Sequence, residues 1–258
     1  MAPPNSPSGP NAAGAGALFS FVFPMWNEEE IIERTVVAAH EAGQRLILEN
    51  EIADYEIVVV NDASTDATGS IADRLAAEDR RVRVLHHQTN RKLGGSIKSG
   101  FVEARGDFVL YTDADLPFDL LDTIKAMRLL RIYEADLVCA YRLDRTGEGP
   151  RRAVYSYAYN SLVRMALGLH VRDVNFAFKL LRRSVLDKVT LTSEGSFIDA
   201  ELLCRSQAAG FRTIQFGVDY FPRYRGVSTL SSPRVILTIL AEMRRLVPEL
   251  RALRAPAE

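Results

Sequence analysis

Apolar and polar positions along this chain fall into two alternating rhythms, and that alternation predicts the architecture. From Leu18 onward, short β-rich runs give way to segments of helical spacing: LFSFVF, a helix from about Glu28, YEIVVV, a helix from about Thr65, then RVRVL. Strand, helix, strand in this order is the signature of a parallel sheet. A further helix from about Gly94 leads into DFVLY at 107–111, another follows Pro117, and a fifth apolar run, DLVCA, ends at Ala140. The chain then reads as helical, with one more β-rich run, RTIQFGVDY, near 212–220, and without internal repeats. The expected fold class is α/β, a mostly parallel central sheet flanked by helices.

Local signals refine this outline. Asn27 and Glu30 have capping-box spacing for the first helix, and the acidic run Glu28 to Glu30 suits the positive end of its dipole. Residues 143–152, LDRTGEGPRR, hold two glycines, a proline and several charges without apolar periodicity, which predicts an exposed mobile loop. The first sixteen residues, rich in Pro, Gly, Ala and Asn, read as a disordered leader without the basic start and apolar core of a secretory signal. The expected organisation is a leader at 1–16, one domain at 17–230 and a C-terminal amphipathic helix at 231–258.

Composition adds exclusions. The chain has 258 residues, 47% of them hydrophobic, and 32 basic residues nearly balance 33 acidic ones. This is globular composition without the positive field of a general nucleic-acid binder, so no nucleic-acid partner is expected. Cys139 and Cys204 lack metal-ligand spacing and are expected to be reduced and packed. No run approaches the roughly 18 apolar residues of a membrane span. The expectation is a cytoplasmic location, at most peripheral at the membrane's cytoplasmic face.

The C-terminal segment qualifies that picture. Val235, Leu237, Leu240, Met243, Leu246 and Leu250 recur at helical spacing, beside Arg234, Arg244, Arg245, Arg251 and Arg254. Such a stripe can pack on its own domain, on a second protomer in a homodimer, or on anionic lipid, and the function inferred below tips the expectation toward lipid. Pro248 is expected to kink or interrupt the last turns.

Candidate chemistry gathers at strand ends. Tyr111-Thr112-Asp113-Ala114-Asp115 places two carboxylates just beyond DFVLY, at the sheet edge where open α/β folds bind ligands. Alternate residues of a turning strand point the same way, so Asp113 and Asp115 can converge on Mg²⁺ or Mn²⁺ and screen a diphosphate. Asn61-Asp62-Ala63-Ser64-Thr65-Asp66 follows the second strand; Asp62 can accept from a nucleobase imide, and Asp66 suits a helix start. Pro24-Met25-Trp26-Asn27-Glu28 follows the first strand, with Pro24, Asn27 and Glu28 as candidate substrate contacts; Trp26 could stack on a base or equally be a half-buried core aromatic, the commoner fate of a Trp, and is left out of the site. The loop NRKLGGSIK at 90–98 opens another helix; its glycines, amides, Lys92 and Lys98 suit phosphate, although it is neither a dinucleotide fingerprint nor a P-loop. Arg151, Arg152, Arg223 and Arg225 could close over two phosphates through their planar forks. No chemistry is assigned to His40, His86, His87 or His170.

In this order and spacing, PMWNEEE, VVVNDASTDAT, NRKLGGSIKSG and YTDADL resemble family 2 glycosyltransferases of the GT-A fold, over roughly Phe19 to Ser228. AYRLDR, the segment from Arg151 to Leu186 and DYFPRYRGVSTL look like the polyprenyl-phosphate branch, which includes dolichol-phosphate mannose synthases. The resemblance implies that Pro24, Glu28 and Asp62 hold a nucleotide, Asp113 and Asp115 the metal and diphosphate, and Arg142, Arg223 and Arg225 phosphates.

The expected reaction is a metal-dependent inverting transfer of a hexose from a GDP- or UDP-sugar to a polyprenyl phosphate. A phosphate oxygen is already anionic, whereas a hydroxyl acceptor needs a base, and Asp199 at a helix start is the candidate. Asp199 and Glu201 lie about 200° apart on a helix, so one of them is expected to face a cleft. A hydroxyl acceptor, a sugar nucleotidyltransferase and a non-catalytic nucleotide-sugar binding module remain alternatives.

Overall fold

The computed structural model describes residues 16–144, 150–221 and 233–253, without the side chains of 150–156, 233–238 and 240. Seven strands form one sheet in the order β3-β2-β1-β4-β6-β5-β7. They are β1 (Leu18–Met25), β2 (Asp54–Asn61), β3 (Val82–His86), β4 (Phe108–Thr112), β5 (Leu137–Arg142), β6 (Phe178–Arg182) and β7 (Thr213–Val218). All are parallel except β6, which runs antiparallel to both of its neighbours, β4 and β5.

Among the described residues, eight helices cover the faces: α1 (Ile32–Leu48), α2 (Thr68–Glu78), α3 (Lys92–Glu103), α4 (Asp122–Ile132), α5 (Pro150–Leu167), α6 (Arg183–Lys188), α7 (Ile198–Ala208) and α8 (Pro233–Ala252). Strands buried on both faces need apolar residues at nearly every position, which LFSFVFPM and DYEIVVVN supply. One core lies between the sheet and α1, α2 and α4, built around Phe19, Phe21, Phe23, Ile57 and Val59. The other packs α3, α5, α7 and α8 against Val22, Val58, Val60, Val109 and Leu181. At Gly100 of α3, a Cβ would stand 2.3 Å from Val22 Cγ1, so glycine sets how closely this helix approaches the sheet.

Several expectations change. β6 was not predicted: its short apolar run, FKLLR, flows directly into α6, and periodicity alone does not separate such a strand from a helix. The first helix begins at Ile32, with no side-chain cap. Asn27 instead has φ +56° and accepts from Thr65, because its side chain turns across to the loop after β2. Arg151 and Arg152, expected in a loop over 143–152, lie in α5, since Pro150 starts that helix, a position that needs no N–H and suits the fixed φ of proline; residues 145–149 of the expected loop lie outside the described residues. The helix α8 runs through Pro248 to Ala252, held on either side by buried Leu246 and Leu250.

The described part of the C-terminal apolar stripe, Met243, Leu246 and Leu250, is buried in the second core, together with Ile239. Glu242 adds a polar anchor by accepting from the amides of Glu194 and Gly195. The domain therefore covers this part of the stripe itself, leaving Arg244 and Arg245 on the exposed side. The leader through residue 15, and Arg254, lie outside the described residues.

Candidate active site

The parallel strands bring their carboxyl ends to one edge, and the loops there are laced together. Asp62 N–H donates to Met25 O, joining the ends of β2 and β1. The amides of Asn27, Glu28 and Glu29 donate to Ser64 Oγ, Thr68 Oγ1 and Asp66 Oδ2. In return, Asn27 Oδ1 accepts from Thr65 N–H at 2.8 Å and Glu29 Oε2 from Ala67 N–H at 2.8 Å. Asp66 also takes the amide and hydroxyl of Thr68; although burial opposes it, these bonds hold its carboxyl below the usual range. Asp66 is thus a structural residue at the start of α2, as its position suggested. Asn27 and Glu28 shape this loop pair, and Pro24 sits within β1 opposite Val60. Of the two readings of Trp26, the core aromatic does not hold: it is 50% exposed at this edge, because the chain turns outward once β1 ends.

Asp62 is nearly buried. Its Oδ1 accepts from His87 Nδ1 and from the Arg91 amide, both at 2.7 Å, and its carbonyl accepts from Asn90 Nδ2. The loop at 90–98 thereby braces Asp62. Some of its amides are already engaged: the N–H of Gly94 donates to Glu194 O, and a Cβ on Gly94 would lie 2.6 Å from Ser193 O. The glycine is needed for close approach of the segment 192–195. Lys98 Nζ donates to Thr192 O at 3.4 Å, toward the same segment. Lys92 is exposed with φ +61° at the first turn of α3.

Asp113 follows the last residue of β4. Ala114 and Leu116 are buried in the first core, and Ala114 O accepts from Thr35 Oγ1 at 2.6 Å. These anchors alternate with the partly exposed Asp113 and Asp115. Among the described residues, no cluster of three or more His, Cys, Asp and Glu is placed to enclose a metal. Two hard carboxylates suit a cation that keeps water and takes further ligands from substrate phosphates, which is the habit of Mg²⁺ and is open to Mn²⁺.

Behind this turn lies a charged cluster that β6 creates. Lys179, fully buried, pairs in register with Tyr111 of β4 and Cys139 of β5. Its Nζ lies 3.1 Å from Asp199 Oδ1 and donates to Phe176 O at 2.6 Å. Burial pushes the Asp199 carboxyl above the usual range, and Lys179 only partly offsets it. Burial, together with the charges of Asp199, Asp113 and Asp115, pushes the Tyr111 phenol well up. Asp199 therefore faces Lys179 rather than an open cleft. Glu201, also buried, takes the amides of Thr192 and Ser193 and the guanidinium of Arg205. Neither carboxylate fits the expectation that one faces a cleft, because each is engaged inside the protein.

Arg142 at the end of β5 gives Nε and Nη2 to the two oxygens of buried Asp173, at 2.8 and 3.1 Å, and stacks over Phe176 and Tyr220. Two of its donors are thus directed at Asp173. The side chains of Arg151 and Arg152 lie outside the described residues, as do Arg223 and Arg225. His87, Ser99, Asp173 and Lys179 were not singled out from sequence. For Lys179 a signal existed: a lone cation inside the apolar run FAFKLL.

The glycosyl transferase family 2 profile matches residues 20–190. Glycosyltransferase AglD of Haloferax volcanii is 37% identical over 82% of this chain, which covers 34% of that protein and so spans about a third of its length. The polyprenol monophosphomannose synthase of Mycolicibacterium smegmatis is 31% identical over 83% of this chain and 81% of its own. The undecaprenyl-phosphate mannosyltransferase of Micrococcus luteus is 29% identical over 81% and 86%. Among solved structures, glucosyl-3-phosphoglycerate synthase from Mycobacterium tuberculosis, in complex with Mn²⁺, UDP-glucose and phosphoglyceric acid, aligns with a TM-score of 0.64. That likeness spans 90% of this chain and 81% of the other at 21% identity, and concerns the fold. With the expected α/β sheet in place and its strand-end motifs on one edge, the chain belongs to glycosyl transferase family 2, in the branch that includes polyprenyl-phosphate sugar synthases.

Proposed function

We propose that this chain transfers a hexose from a nucleoside-diphosphate sugar to a polyprenyl phosphate, with inversion at the anomeric carbon. The observation that carries the acceptor class is the Lys179–Asp199 pair. The residue best placed in sequence to deprotonate a hydroxyl is buried against a cation. A phosphate acceptor brings its own anionic oxygen and needs no base. The names of the mannose synthase and mannosyltransferase relatives support the same class.

In this reading Asp62 receives the base, and Asp113 and Asp115 would hold a divalent cation. Such an ion supplies positive charge to the diphosphate as it departs. Lys92, at the exposed first turn of α3, is available to phosphate. Arg223 and Arg225 remain proposed phosphate contacts, as do Arg151 and Arg152. Among the described residues no helix is long and apolar enough to cross a membrane. In this reading the lipid acceptor is met at the bilayer surface, with the exposed Arg244 and Arg245 as the proposed basic contact.

A hydroxyl acceptor is the second reading. The observation favouring it is the raised proton affinity that burial gives Asp199, a property suited to a general base once Lys179 moves away. The test is a donor screen read by released nucleoside diphosphate, with a short-chain polyprenyl phosphate or a sugar alcohol as acceptor. Release that depends on the lipid phosphate is expected. Turnover with the alcohol alone would overturn the phosphate reading. Pyrophosphate release from a nucleoside triphosphate would point to a nucleotidyltransferase, and binding without product to a non-catalytic module.

A further inference from the structure

His87 lies outside every motif discussed above, yet it is as buried as the residue it touches: both the His87 and Asp62 side chains are 5% exposed. Its two ring nitrogens are both engaged. Nδ1 is 2.7 Å from Asp62 Oδ1 and Nε2 is 3.0 Å from Ser99 Oγ, while Arg91 Nη1 donates to the same Ser99 oxygen at 3.0 Å.

The hydrogen positions follow from what each group can do. A carboxylate oxygen only accepts, so Nδ1 carries the proton toward Asp62. Nε2 and the Ser99 oxygen share the second hydrogen bond, and that oxygen also accepts from Arg91.

The consequence falls on Asp62. Its Oδ1 already takes two hydrogen bonds, from His87 and from the Arg91 amide, which fills the lone pairs of that oxygen. Among the described residues, Oδ2 has no hydrogen-bond partner. A carboxylate held this way offers a ligand one acceptor, not two. Guanine presents N1–H beside N2–H₂, an adjacent donor pair best met by both oxygens of a carboxylate. Adenine and cytosine place a ring-nitrogen lone pair next to their amino group, which would face the filled Oδ1. Uracil presents a single donor, N3–H, between two carbonyls.

We propose that His87 is a positioning residue that fixes Asp62 with one free oxygen, and that this arrangement selects a uracil nucleotide as the donor. This rests on the reading that Asp62 receives the base. The pairing also constrains the loops, because Asp62 is braced by His87, which directly follows β3, and by the amide of Arg91 before α3, with Ser99 of α3 behind the imidazole.

The test is calorimetric binding of UDP, GDP and inorganic pyrophosphate, each with Mn²⁺, to the full chain and to His87→Ala, His87→Asn and Ser99→Ala. The intact protein is expected to bind UDP at least about tenfold more tightly than GDP, the scale of one buried charge-assisted hydrogen bond. His87→Ala should weaken UDP by about the same factor and bring the two nucleotides together, with pyrophosphate unchanged within about twofold. His87→Asn keeps an N–H near the Nδ1 position and should restore most of the preference. Ser99→Ala should give an intermediate loss and serves if His87→Ala does not fold. GDP binding as tightly as UDP to the intact protein would overturn the proposal, as would an unchanged UDP-to-GDP ratio in the folded variants. If the intact protein binds pyrophosphate but no nucleotide better than pyrophosphate, it is the base-site reading of Asp62 that fails.

Discussion

Lys179 Nζ lies 3.1 Å from Asp199 Oδ1 inside the protein, with Lys179 on β6, which runs antiparallel to both of its neighbours. Burial favours the neutral carboxyl, so the ionisation of Asp199 opposes folding and Lys179 offsets only part of that cost. A group whose proton affinity is raised on folding contributes stability at low pH and loses it as pH rises through its folded value. Lys179→Met removes the offset, and leaving a buried charge without its partner costs about 3–5 kcal/mol. The melting temperature of this variant should fall, and fall further at pH 8 than at pH 5. A loss independent of pH would show that Lys179 does not govern Asp199.

The same pair separates the acceptor classes. Asp199→Asn keeps the size of the side chain, and transfer to a phosphate should fall less than about tenfold, since general-base catalysis is typically worth about 10² to 10⁴. Rates per folded molecule, with nucleotide affinity measured alongside, provide the check. A near-complete loss would favour a hydroxyl acceptor.

Asp113→Asn and Asp115→Asn should each lower transfer by about 10²-fold or more, because each removes a hard ligand from a site that has few. A chelator should reproduce the loss in the intact protein, and Mg²⁺ or Mn²⁺ should restore it. Full turnover by a folded double variant in chelator would refute the metal assignment.

Truncating α8 is a poor test of membrane contact, since Met243, Leu246 and Leu250 are part of the core and Glu242 holds the 194–195 amides. Reversing the exposed charges of Arg244 and Arg245 to Glu leaves that packing in place. At about 1 kcal/mol per basic residue near an anionic surface, the double reversal should abolish co-flotation with anionic liposomes at low salt. Flotation equal to that of the intact protein would move the contact elsewhere.

Gly94→Ala should destabilise the protein by about 1–3 kcal/mol, the usual cost of forcing a methyl group into a filled space. The obstacle is backbone, Ser193 O at 2.6 Å and Glu194 C at 2.7 Å, so no side chain can turn aside. Thermal or urea unfolding measures the effect. A neutral result would mean that the segment 192–195 yields.

By itself the sequence determined the layered α/β architecture and the edge where its polar groups collect. The runs in β1, β2 and β4 are apolar enough for burial on both faces, and the residues that follow each strand cannot continue it. That Asp62 and Asp113 directly follow strands, with Asp115 two residues on, was legible for that reason, since a strand end is a local feature of the chain. Tertiary structure alone decided what each charged group touches. Asp199 reads as an available base until β6 inserts Lys179 beside it, 20 residues away in sequence, and Arg142 reads as a phosphate ligand until Asp173 takes its fork. His87 carries no signal at all, because its partners, Asp62 and Ser99, come from β2's end and from α3. Partner choice for a buried polar group is set by which segments the sheet order makes neighbours, and no spacing along the chain encodes that order.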